Sequence, residues 1–172
     1  MREIVTYYAR CNRQINQLMN QTIAAGLPQP YEVPLEGYFF KTLGQLLDHI
    51  VCADLIWMSA FVALDDAGMD LASEVRAIPT YGDALFADFD AYLGCRTTLD
   101  DVICRYMAQV DASVFTKVVS RRTKDGSLVE RPAWKAMVHF FNHQTHHRGQ
   151  VSNILDTLKI ENNYSNMIFL DA

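Results

Sequence analysis

Paired cysteines are missing from this chain of 172 residues: Cys11, Cys52, Cys95 and Cys104 form no Cys-x-x-Cys unit. That spacing disfavours a thiolate metal site. Each cysteine sits in an apolar helical pattern, where a free thiol acts as a small hydrophobe. With no signal-peptide pattern at the start, the expectation is reduced thiols in the cytoplasm. Positive charge is also short. The formal net charge is -5, so no global field attracts phosphate backbones, and nucleic acid is not an expected partner. Arg121-Arg122 with Lys124 reads as one exposed basic turn. No apolar stretch approaches the ~20 residues that cross a bilayer, so no membrane span is expected. A Gly-rich phosphate loop, a His-Glu-x-x-His run and a Gly-x-Ser-x-Gly elbow are all absent. So are internal repeats, low-complexity tracts and linkers, which leaves residues 1–172 as one domain with a single substantial core.

What is present is helical periodicity. Ile4, Tyr8, Cys11, Ile15 and Leu18 recur at steps of three and four over a first block, Arg2 to Ala25. Gly26, Pro28, Pro30 and Pro34 end it. A second block opens at Thr42, with Gln45 three residues on as a capping box. It carries Leu46, His49, Ile50, Ala53, Ile56 and Trp57 along one side. After a long connection from Asp65 to Pro79, a third block begins near Thr80, capped with Asp83. Its stripe is Leu85, Phe89, Tyr92, Leu99, Ile103, Tyr106 and Val110. Val114 to Ser120 is β-branched and aromatic, and Asp125-Gly126 before Leu128 and Val129 signals a tight hairpin. Pro132 suits the first turn of a last helix reaching about Lys159. The tail ends in Met167-Ile168-Phe169-Leu170, apolar enough to pack back across the body. The fold class is all-α: a four-helix bundle with a small β-hairpin before its last helix.

Four of the five histidines, His139, His143, His146 and His147, fall within nine residues of that last helix. His143 and His147, four apart, leave one face about 40° apart around the axis. They continue the apolar stripe of Ala136, Phe140, Val151, Ile154 and Leu158, where a bundle builds an internal metal site. His49 faces the core from the second block and can supply a third imidazole. Three nitrogens leave a coordination position open for water or a thiol, and suit zinc or nickel. The bland reading is three core histidines bound to backbone and side-chain partners. Spacing also permits the pair His139 and His143, with His139 otherwise a pocket-wall or supporting residue. His146, rotated by about 100°, faces sideways. Asp48 is turned away from His49 by the same rotation, and Asp54 lies more than a turn beyond it. Tyr7, Tyr8, Tyr92 and Tyr106 can offer phenols to a pocket but more often build core. Arg148 and Gln150 either line the pocket or stabilise the helix. A lone helical arginine usually forms a surface ion pair.

The run Asn142-His143-x-x-His146-His147-Arg148-Gly149-Gln150, with Leu46-Leu47-Asp48-His49 and Trp57 upstream, resembles the DinB family of small bundle proteins. The likeness covers nearly the whole chain, and these two helical stretches are its specific part. The resemblance implies a triad of His49, His143 and His147 holding zinc, nickel or a related divalent ion. It also implies up-down-down-up connectivity and a homodimer. Wider relatives include thiol-dependent S-transferases and a mycothiol-dependent isomerase. The implied function is therefore a metal-dependent enzyme that activates a low-molecular-weight thiol, or water, toward a small-molecule substrate. The alternative is a non-catalytic metal-binding or stress-related bundle.

Overall fold

Thr42 ends the proline-rich connection and starts the helix that carries His49. The computed structural model describes residues 1–65, 82, 84–122, 126–164 and 166–170. Among them the chain forms α1 (Arg2–Gly26), α2 (Leu43–Val62), α3 (Phe89–Gln109), strands β1 (Val118–Arg122) and β2 (Leu128–Pro132), and α4 (Ala133–Thr157), with 3-10 turns at Pro30–Glu32, Ala112–Thr116 and Met167–Phe169. The Thr42 hydroxyl accepts from the Gln45 amide at 3.2 Å, as the capping box requires. The Gln45 side chain reaches back one residue further than expected, to the Lys41 amide.

Side-chain pairs give the helix directions. Thr6, Arg13, Asn16 and Asn20 meet Met107, Asp101, Asp100 and Tyr92 in turn, so α1 and α3 are antiparallel. His49 meets His147 while Trp57 meets His139, so α2 and α4 are antiparallel too. Asp54 with Arg96 and Phe61 with Tyr106 make α2 and α3 parallel. Tyr8 with Phe141 and Asn12 with Arg148 do the same for α1 and α4. The bundle therefore runs up-down-down-up. The long connection from α2 to α3 follows, because a helix parallel to its predecessor cannot be reached by a short turn.

Several sequence expectations need correction. α2 is twenty residues long with a window of mean hydropathy 1.3, enough by length and composition to cross a bilayer. Asp48, His49 and Asp54 interrupt the stretch, yet their neighbours keep the average high. Here 67% of that window is buried, and α2 is the bundle's core helix. On α1 the buried residues are Val5, Ala9, Cys11, Asn12, Ile15, Asn16, Met19, Asn20 and Ile23, while Ile4, Tyr8 and Leu18 are exposed. Cys11 and Ile15 of the expected stripe do face inward, and the rest of that face differs because three of its inward residues are asparagines. Thr80 and Asp83 lie outside the described residues. The third helix starts at Phe89, capped by the Asp88 carboxylate on the Ala91 amide at 2.8 Å, so Leu85 precedes it. Val114 to Thr116 is 3-10 turn, not strand. The hairpin pairs Arg122 with Leu128, leaving a five-residue loop rather than a tight turn. Asp125 lies outside the described residues, and Gly126 has φ +87°. Pro132 caps α4 from just before its first turn. In the tail Met167 and Leu170 pack on the core, but Ile168 and Phe169 are each 81% exposed.

Candidate metal centre

Three Nε2 atoms converge where α2 crosses α4. His143 Nε2 lies 3.0 Å from His147 Nε2 and 3.3 Å from His49 Nε2. All three rings offer a ligand atom within 4.8 Å of one another. Two nitrogens bound at ~2.05 Å with a tetrahedral angle stand ~3.3 Å apart, so the two sides meeting at His143 have the dimensions of a zinc-type site. Hydrogen bonding fits the triangle poorly. An imidazole Nε2 carries one proton or one lone pair, and His143 faces two like neighbours with only one of these. One cation satisfies all three lone pairs at once.

Gln150 prepares one of those lone pairs. His147 Nδ1 lies 2.7 Å from Gln150 Oε1, which only accepts, so Nδ1 carries the proton and Nε2 is bare. His143 Nδ1 is buried with no hydrogen-bond partner among the described residues. Burial, then neighbouring His147, lowers His49 to about 4. Burial also leads in lowering His143 to about 3, and it lowers His147. Neutral rings are what metal ligation needs.

Aromatic walls bound the cluster. The Phe40 ring lies 4.9 Å from the His49 ring and 6.0 Å from the His147 ring. Along the α2–α4 groove beyond the cluster, His139 stands edge-on to Trp57 at 5.4 Å and 6.1 Å from the His143 ring. The Arg121 guanidinium from the hairpin lies 5.2 Å over Trp57. The position of α2 is set by a close approach at its first turn. A Cβ on Gly44 would come within 2.6 Å of the Tyr31 ring. The Tyr31 hydroxyl donates to Asp48 at 2.7 Å, and the Leu85 amide donates to the other Asp48 oxygen.

His49, His143 and His147 thus come together, with the exposed His139 against Trp57 and Gln150 behind His147. His146 is exposed, its ring 4.8 Å from that of His147. Arg148 corrects the sequence reading. It neither lines this groove nor forms a surface ion pair, but is buried against α1, bonded to Asn12, Asn16, Gln144 and Thr145. A step of one residue along α4 turns it about 100° from His147. As expected, Asp48 and Asp54 face elsewhere. Tyr92 donates to Asn20, Tyr106 to the Phe61 carbonyl and Tyr7 to the Met167 carbonyl, while Tyr8 stacks on Phe141. The cysteines are free, and none joins the cluster.

Two features escaped the sequence reading. Phe40 sits in an irregular loop where periodicity says nothing. The other is a buried polar layer beside the centre. Arg96 bonds Asp54 at 2.6 Å and Asp100 at 2.8 Å. Gln144 donates to Asp54, and Asn16 to Asp100. Its signal was legible: Asn12, Asn16 and Asn20 step by four alongside Cys11, Ile15, Met19 and Ile23.

No curated protein and no solved structure gives a match to this chain. A family model does, over residues 1–158, which include all five histidines, Phe40, Trp57 and Gln150. With a bundle of this connectivity and a His49–His143–His147 cluster at its centre, the chain belongs to the DinB family.

Proposed function

We propose that the chain holds one divalent cation, zinc or nickel, on Nε2 of His49, His143 and His147, and is a metal-dependent enzyme. Its reaction is transfer of a low-molecular-weight thiol to a small electrophilic substrate. The convergence of three Nε2 atoms at 3.0 and 3.3 Å carries this reading. When bound, such an ion supplies Lewis acidity that makes a thiol or water at its remaining position nucleophilic near neutral pH. The chain's residues do the rest. Gln150 fixes the tautomer and ring angle of His147. Phe40 covers His49 and His147, excluding water from that side. Trp57 and His139 wall the groove in which the substrate lies. Thiol transfer is preferred to hydrolysis through the family's wider relatives.

The free cysteines support a reducing, cytoplasmic setting. Exposed Ile4 and Tyr8 on α1 with Trp134 and Val138 on α4 support a homodimer, to be tested by sedimentation equilibrium. The first test of the site is elemental mass spectrometry on untagged protein. Near one ion per chain is expected, lost in His147→Ala and kept in His146→Ala. No ion in any form after reloading would sink the reading. Conjugation assays across thiols and electrophiles follow. Loaded protein without turnover on that panel would leave a non-catalytic metal-binding bundle.

A further inference from the structure

Arg148 is a buried cation whose bonds go only to neutral oxygens. Among the described residues these are Asn12 Oδ1, Asn16 Oδ1 at 3.3 Å, Gln144 Oε1 at 3.4 Å and Thr145 Oγ1 at 3.3 Å. The core carboxylates nearby, Asp54 and Asp100, are both bonded by Arg96. Asp54 and Asp100 attract the Arg148 guanidinium through space, but neither hydrogen-bonds to it, so a carboxylate oxygen brought within reach would be the first to bond it directly. Beside it, between α1, the back of α4 and the tail, lies a cavity of about 440 Å³. Its polar lining is Thr145, Arg148, Ser152, Asn153, Asp156 and Tyr164. Tyr164 is 4% exposed, and its hydroxyl lies near Ser152 yet finds no hydrogen-bond partner among the described residues. With only Ser152 beside it and no bond in good geometry, the hydroxyl can turn to donate to an acceptor in the cavity.

We propose that this cavity binds a small organic monocarboxylate, its oxygens set against the Arg148 guanidinium and the Tyr164 hydroxyl. Three observations narrow the class. Guanidinium geometry matches a carboxylate's two oxygens. Ile15 and Met167 line the same cavity and offer apolar contact to a short hydrocarbon chain. Asp156 also lines it, and because its repulsion of a bound anion grows with charge, one negative charge is tolerated better than the two of a phosphate. The volume is in the range of small-molecule sites. The site is separate from the metal centre. Residues 145, 148, 149, 152 and 156 of α4 share a face roughly opposite His143 and His147. It therefore stands whether or not the triad holds a metal.

Two variants test it without touching Arg148, whose loss would threaten folding. Tyr164→Phe removes only the hydroxyl. Gly149→Leu plugs the cavity from its lining, since a Cβ at Gly149 meets nothing within 4 Å. Melting would be followed in sodium butyrate against sodium chloride at equal ionic strength. Butyrate well above its dissociation constant should raise the Tm of the unaltered protein by ~3–6 °C. In Tyr164→Phe the shift should fall by about half or more, and in Gly149→Leu it should vanish while melting in chloride stays as before. Coincident melts in the two salts, or equal shifts in all three proteins, would overturn the site. A larger shift from inorganic phosphate would overturn the carboxylate assignment.

Discussion

A neutral imidazole offers a lone pair, and burial keeps His49 and His143 neutral far below the usual range. Unfolded, each ring takes up its proton near 6.5; folded, near 4 and 3. Between those values the unfolded chain binds more protons, so the contribution of these rings is fully present above pH 6.5 and is lost as pH falls toward 4. EDTA-treated protein should therefore unfold at lower urea at pH 5 than at pH 7.5. Equal midpoints would mean the rings are not held neutral by burial. Gln150 acts on the same chemistry from behind. Gln150→Ala should weaken metal retention about 10- to 100-fold in a chelator competition, with thermal stability little changed. Retention equal to that of the unaltered protein would remove its assigned role. Arg96 is different in kind. Arg96→Met leaves Asp54 and Asp100 buried without their cation and should cost about 3–5 kcal/mol in urea unfolding.

Among the elements, α2 and α4 matter most, because the candidate centre exists only where they cross. Their register is held on two sides. Gln144 donates to Asp54 across the interface at 2.8 Å, and Tyr31 packs into the space left by Gly44. Gly44→Ala should therefore push Tyr31 off Asp48, destabilise the fold by roughly 1–3 kcal/mol and loosen metal retention together. A variant as stable as the original would show that the approach relaxes without consequence. Local signals served well at this scale when the partner was a few residues away. The Thr42–Gln45 cap was legible because three residues define it. The Asp88 cap is equally local, the Ala91 amide three residues on, and stands beside the Thr80–Asp83 pattern, which lies outside the described residues. Phe89 and Tyr92 stack on one another just after that cap, at the start of α3.

For the whole molecule, the triad joins His49 to residues 94 and 98 positions later, closing the bundle across its longest connections. An ion bound only by the folded chain stabilises it by mass action, so chelation should lower the Tm, and re-addition of zinc or nickel should restore it. A chelator without effect on either ion content or Tm would return the histidines to ordinary core. By itself the sequence determined the helical blocks, the four-residue spacing of His143 and His147, and the inward face of His49, since all three follow from periodicity along one segment. The same periodicity put Arg148 on a different face from His147 but could not say what that face meets. Tertiary structure decided that α1 turns its asparagines inward, that Arg148 is buried among them, and that Phe40 lies over two of the histidines. The physical reason is that an amide or guanidinium enters a core only when distant partners complete its hydrogen bonds, and nothing local in the chain announces where those partners will be.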